Sequence, residues 1–246
     1  MSKAIKLETT SASLHIIAMV CMLCDHLWAT IVPGNDWLTC IGRIAFPIFA
    51  FLIVEGFHHT RNLKKYVLRL LFAAVLSEIP FNLMAGGSLI YPFHQNVLWT
   101  FLIAIGMMYA NEKVRAQAAW KRMAVAFATV VIGALAGLLS FADYLHAGVL
   151  TVLVFYFLRG RSWLCFAGQA FCLWYLNFET LGGLVYTFSL AGHTLVFPQQ
   201  GFALLALIPI WLYRGGKGYH SKAFQWFNYL FYPLHMLLLS LLAVIF

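Results

Sequence analysis

Nine apolar stretches run along this chain, at about 14–32, 38–57, 65–85, 96–110, 122–141, 145–158, 163–178, 200–213 and 224–245. A helix needs roughly 17–25 apolar residues to cross a bilayer, so most of these stretches are long enough to span one and the others fall just short. Hydrophobic residues make up 63% of the chain and charged residues only 10%, where a soluble domain carries about 25% charged residues. Such a chain has too few polar groups to cover a surface in water. No repeat, low-complexity tract or long linker divides it. The expected fold is therefore an all-α, polytopic transmembrane helix bundle of about nine crossings, a single domain over residues 1–246.

The basic residues set the orientation. Lys3 and Lys6 precede the first stretch. Arg61, Lys64 and Lys65 follow the second, and Lys113, Arg115, Lys121 and Arg122 follow the fourth. Arg159 and Arg161 follow the sixth, and Arg214, Lys217 and Lys222 precede the last. The alternate loops hold none, and only Arg43 and Arg69 lie inside stretches. The positive-inside rule places the N-terminus and all these basic loops in the cytoplasm. The net charge of +8 then records orientation, and nucleic acid is not needed to explain it. The alternation requires that 181–197 does not cross. That segment is apolar but carries Gly182, Gly183, Gly192 and Pro198, and it is expected to be re-entrant or to lie on the outer face. Eight or ten crossings are the alternative counts. No cleavable signal peptide is expected, because the first stretch holds Asp25 and His26.

An ionisable side chain at the centre of a membrane helix costs about 2.5–3.5 kcal/mol. This chain places Asp25, His26, Arg43, Glu55, Glu78 and His235 inside its apolar stretches. Such residues pair to fix a bundle, or they build a site. Order and parity put Asp25, His26, Arg43, Glu78, Asn82, His94, Gln95 and Asn96 in one cluster near the outer face, with Asp143 and His146 at another outer end. Pro80, between Glu78 and Asn82, frees a backbone carbonyl there. The inner face carries Glu55, His58, His59, Arg61, Asn62, Lys64, Lys65 and Arg69. This is either orientation bias alone or an anion-binding mouth for a polyphosphate ligand. His15 and His26 are eleven residues apart, close to three helical turns, so they share a face about 16 Å apart along the axis. Cys21 and Cys24 form a C-x-x-C on a helix, read as small buried residues, and no metal-ligand set is expected.

The segments "IAMVCMLCDH" (17–26), "GRIAFPIFAFLIVEGFHHTRNLKKYVLRLL" (42–71), "SEIPFNL" (77–83), "QNVLWT" (95–100), "FALLALIPIWLYRGGKG" (202–218) and "FNYLFYPLHMLLL" (227–239) resemble the TraX family. That family comprises inner-membrane proteins associated with N-terminal acetylation of conjugative pilin. The resemblance runs from about Leu14 to Leu239. The family in turn resembles a wider group of membrane acyltransferases whose first helix carries a basic residue, ten intervening residues and a histidine. Here the pattern reads His15-x10-His26, with histidine in the basic position. "ADYLHAGVL" (142–150) has Leu145 where a glycine is expected after the tyrosine.

The resemblance implies a bacterial inner-membrane acetyltransferase. It would take acetyl-CoA from the cytoplasm as acyl donor and pass the acetyl group to an acceptor at or beyond the outer face. Pilin or another exported amine or sugar would be that acceptor, and membrane lipid the other partner. On this reading His26 is the general base, oriented by Asp25 or Glu78. Direct transfer and an acetyl-histidine intermediate are both open. Arg43, Asn82, Gln95 or Asn96 would donate to the oxyanion, with His94 and His235 on the acceptor side. His15, Glu55, His58, Arg61, Asn62, Lys64, Lys65 and Arg69 would hold the donor. The rivals are a proton-coupled transporter, a haem protein ligated by His26 and His235, and a non-catalytic assembly factor.

Overall fold

A computed structural model describes residues 8–190 and 193–245; Lys3 and Lys6, which the orientation argument used, lie outside them. The helices are α1 (Ser11–Thr30), α2 (Asp36–Gly42), α3 (Ala45–His59), α4 (Leu63–Gly86), α5 (Val97–Lys113), α6 (Ala119–Leu139), α7 (Leu145–Phe157) and α8 (Trp163–Tyr175). A π-helical turn, Leu176–Thr180, extends α8. Strands β1 (Val185–Leu190) and β2 (His193–Pro198) follow, then a 3-10 segment (Gln199–Ala206), α9 (Leu207–Leu212) and α10 (Lys222–Ala243).

Five helical segments are long and apolar enough to cross a membrane: α1, α2 with α3, α4, α6 and α10. The chain is a helical membrane protein. α3 is the most enclosed of these and α6 the least. The main core joins Leu14, Ile48, Val54, Met108, Val149 and Leu173, from α1, α3, α5, α7 and α8. A second cluster of Cys21, Met22, Ala45, Phe81, Tyr232 and Met236 ties α1, α3, α4 and α10 together in the outer half. The exposed residues of α6, among them Phe127, Leu135 and Leu139, form an apolar face, which in a bilayer meets lipid rather than water.

The stretch read as one helix over 38–57 breaks at Arg43–Ile44. Pro47 explains the break. It has no N–H for the carbonyl four residues back, that of Arg43, and its ring crowds that carbonyl. Arg43 N still donates to Thr39 O at 3.1 Å, whereas Ile44 N turns to Ile41 O at 3.1 Å, so the α-helical ladder lapses just past the residue that meets Asp25. The first turn of α1 is held by the loop before α10. Ser11 N donates to Gly216 O at 2.8 Å and Ala12 N to Lys217 O at 3.1 Å.

The helical class holds for the bulk of the chain, and 181–197 is where it gives way. The described residues of this segment, 181–190 and 193–197, are not helical. They form an antiparallel β-hairpin in which Val185 pairs with Pro198 and Leu190 with His193. Its Val, Thr, Tyr and Phe favour a pleated strand, a preference that apolarity alone does not show. Tyr186 OH lies 3.3 Å from Cys40 Sγ, so the hairpin packs beside α2.

α6 and α7 approach closely along Gly133 and Gly137, four residues apart, the small-xxx-small spacing that lets membrane helices touch backbone to backbone. A Cβ on residue 137 would lie 2.6 Å from Leu145 O, and one on residue 133 would lie 3.0 Å from Val149 Cγ1. The turn entering α7 holds Phe141, Tyr144 and Leu145 at positive φ, Leu145 at 48°.

Two expected outcomes follow, both measured by thermal unfolding in detergent. Gly137→Ala loses about 1–3 kcal/mol through overpacking, while Gly106→Ala, with open space around its Cβ, is neutral or slightly stabilising. Leu145→Gly relieves a left-handed conformation costing about 1–2 kcal/mol and loses about 0.5–1 kcal/mol to chain entropy. It therefore unfolds at the wild-type temperature or above, and Leu145→Val below it.

Candidate functional site at the outer end

α1 and α10 lie side by side, and their histidines meet. His26 Nδ1 is 2.7 Å from His235 Nε2, with the rings stacked at a 6° interplanar angle. His235 Nδ1 is 2.6 Å from Phe231 O. A carbonyl only accepts, so His235 Nδ1 donates to it. In a neutral ring, Nε2 of His235 then accepts, and His26 Nδ1 donates to it. His26 Nε2 is left with its lone pair available. The partner of His26 is thus His235 rather than Asp25 or Glu78.

Asp25 Oδ1 instead receives Arg43 Nη2 in an ion pair and Thr39 Oγ1 at 2.6 Å. Arg43 Nε donates to Thr39 O at 3.3 Å. Gly42 makes this packing possible, since a Cβ there would collide with the Asp25 carboxylate. Arg43 Nη1 has no hydrogen-bond partner among the described residues.

Glu78 Oε2 accepts from the Asn96 amide and from Trp99 Nε1 at 3.0 Å. Asn96 is fully buried. Its Nδ2 also donates to Ala74 O at 2.9 Å, and its Oδ1 accepts Leu98 N at 3.1 Å as the N-cap of α5. Both its N–H groups are committed, which leaves none for an oxyanion. On the buried side of α4, Ser77 Oγ, Glu78 Oε1 and Asn82 Oδ1 have no partner among the described residues. Gln95 points away, donating to Pro92 O at 2.8 Å, while its backbone pairs with the turn at Ala142. His94 Nε2 lies 3.3 Å from Asp143 Oδ1. That bond raises the His94 pKa above the ordinary 6.5 against the opposing effect of burial.

The inner end is organised differently. Glu55 accepts from Arg159 Nε at 2.8 Å and lies 3.6 Å from His59 Nδ1. Arg161 donates to Tyr213 O at 2.5 Å and Trp211 O at 3.1 Å. A cavity of about 340 Å³ opens here, lined by Glu55, His59, Arg159, Arg161, Trp211 and Arg214 among others. Arg61, Lys64, Lys65 and Arg69 do not line it. Asn62 caps α4 by accepting Lys65 N at 2.9 Å, and Arg69 lies over the Tyr229 ring. His58 stacks on Tyr156. His15 bonds Ser11 O within its own helix at 2.8 Å and lines no cavity described here.

Sequence reading thus missed Thr39 and Trp99, whose roles carry no local signal. It counted Arg159, Arg161 and Arg214 only for orientation. The signal for these arginines was present: Arg159 and Arg161 flank a glycine between two apolar stretches, and Arg214 precedes a pair of glycines.

The family model for TraX protein matches residues 10–243. The chain belongs to the TraX family. A curated relative, the probable fimbrial assembly protein FimC, serogroup H1, of Dichelobacter nodosus, is 25% identical over 258 residues, covering 95% of each chain. No solved structure matches. Family model and relative both span almost the whole chain.

The His94–Asp143 contact predicts a pH dependence. Because folding raises the His94 pKa, the stability it adds is complete below about pH 6.5 and is lost as pH rises through the raised value. Asp143→Asn keeps an acceptor for Tyr144 N–H but loses the charge. Its deficit in thermal unfolding against wild type is expected to be largest near about pH 6 and to shrink toward about pH 9.

Proposed function

We propose that this TraX-family chain is a membrane acetyltransferase of the bacterial inner membrane, crossing nine times. It moves an acetyl group from cytoplasmic acetyl-CoA to an acceptor at or beyond the outer face. The acceptor best suited is the N-terminal amine of a pilin subunit. The family and its fimbrial-assembly relative support the pilus connection. The observation that carries the chemistry is the chain from Phe231 O through His235 to His26, which leaves a single imidazole lone pair on His26.

On this reading His26 Nε2 takes a proton from the acceptor amine as its nitrogen attacks the thioester carbonyl. The C–N bond forms, the C–S bond breaks, and coenzyme A leaves as the thiol, its sulfur taking back the proton that His26 Nε2 had accepted. Arg43 Nη1 faces the developing oxyanion, held in place by Asp25 and Thr39. The nucleotide end of the donor occupies the inner cavity, where Arg161 and Arg214 face no carboxylate among the described contacts. His235 is a positioning residue. It fixes the tautomer of His26 and touches no reacting atom.

The test uses purified protein, labelled acetyl-CoA and a pilin N-terminal peptide. His26→Ala lowers turnover by about 10²–10⁴-fold with unchanged unfolding temperature. His235→Leu lowers it by about 10²-fold through misorientation. His235→Gln, whose side-chain oxygen still accepts from His26 Nδ1, recovers a large part of that loss. Full activity of His26→Ala sinks the assignment, and equal loss in the Leu and Gln variants sinks the positioning role.

A further inference from the structure

A second inner cavity, of about 560 Å³, lies between the inner ends of α5, α6 and α7. We propose that it is a binding site for the headgroup of an anionic phospholipid bearing a single phosphodiester charge. Its position, charge and walls each bear on this.

The cavity lies on the rim of the bundle. α6, which supplies Arg122 and Met123 to it, is the least enclosed of the five long apolar helices. Met123 is 72% exposed and Phe127, one turn on, 74%. The cavity mouth is therefore continuous with the apolar face that α6 presents to lipid. Trp120 and Lys121 stand beside it, the ring exposed and the ammonium 5.6 Å from the ring centre. An aromatic ring and a lysine in this arrangement mark the bilayer–water boundary.

The charges count to one. Arg115, Arg122 and Arg159 line the cavity with one acid, Glu112. Arg115 pairs with Glu112 at 3.4 Å, and Arg159 pairs with Glu55 at 2.8 Å. Arg122 has no carboxylate partner among the described residues. His58 adds a neutral polar ring, stacked on Tyr156, which is itself held by Glu112 at 3.0 Å. One uncompensated guanidinium matches one phosphodiester and undercompensates a polyphosphate such as the donor nucleotide. The apolar wall of Met123 and Phe157 suits the first methylenes of acyl chains that continue along α6. A basic pocket between helices on the cytoplasmic side is where lipid phosphates bind. The proposal is independent of the acetyltransferase reading.

The experiment is native mass spectrometry of protein carried from detergent into equimolar phosphatidylglycerol and phosphatidylcholine. Wild type is expected to retain phosphatidylglycerol preferentially. Arg122→Gln is expected to reduce that retention about fivefold, the contribution of one basic residue near a lipid phosphate. Ala126→Trp, which fills the apolar wall and keeps every charge, reduces it as well. Lys64→Gln with Lys65→Gln, on the same membrane face but outside the cavity, leaves it unchanged. Water-soluble glycerophosphoglycerol does not displace the lipid. Equal retention of both lipids, loss in the Lys64/Lys65 variant matching that in Arg122→Gln, or displacement by the soluble phosphodiester each overturns the proposal. Displacement would assign the cavity to free phosphate esters instead.

Discussion

A charge in hydrocarbon must find a partner or pay heavily for its absence, and the outer half of this protein is arranged by that constraint. Arg43 and Asp25 neutralise one another, with Thr39 bonded to both. Glu78 is held by Asn96 and Trp99. Pairing is so complete that the groups left open stand out. Among the described residues they include Arg43 Nη1, His26 Nε2, the three oxygens of Ser77, Glu78 and Asn82 on α4, and His146 Nδ1. A bundle stabilised merely by polar glue has no use for such residues, since interhelical hydrogen bonds in membranes are worth only about 1 kcal/mol each. The cluster is better understood as charges fixed in place so that a few remaining groups can act.

The histidine pair illustrates how position becomes chemistry. A lone histidine in a helix exchanges tautomers freely. Here a backbone carbonyl on α10 dictates the proton on His235, and His235 dictates the proton on His26. Two helices far apart in sequence thereby specify one lone pair. The same geometry bears on the transporter reading. A proton relay calls for titratable groups that hand protons along a file, but Asp25 and Glu78 are each tied to non-titrating or permanently charged partners, and among the described residues neither carboxylate hydrogen-bonds the His26 ring.

The sequence revealed what obeys periodicity and parity. Hydrophobic runs and basic loops gave the helical class, and parity brought Asp25, His26, Arg43, Glu78 and Asn96 to one end and Glu55 with Arg159 to the other. It did not reveal pairing, because partners such as His26 and His235 are separated by most of the chain and no local pattern links them. Asn62 and Asn96 looked like ligand-binding amides, but both are helix caps, and a cap and a ligand donor have the same side chain. The hairpin at 185–198 was missed because apolar strands and short apolar helices share one composition. Leu145 is the reverse case. The resemblance flagged it as standing where glycine is expected, and its positive φ gives that expectation a physical cause.

The two ends of the molecule are joined by the same helices, and this limits how they can cooperate. α1 carries His26 outward, and the α2–α3 segment carries Arg43 near the outer face and Glu55 at the inner. Twelve residues separate Arg43 from Glu55, about 18 Å along a helical axis. The core between them is enclosed, with Ile48, Ala50 and Val54 fully buried along α3. On the proposed acetyltransferase reading, a donor bound at the inner cavity would span this enclosed core by its own length. Arg159 lines both inner cavities while it holds Glu55. An anion beside Arg159 in either cavity would compete with Glu55 for it, so the two cavities share one guanidinium.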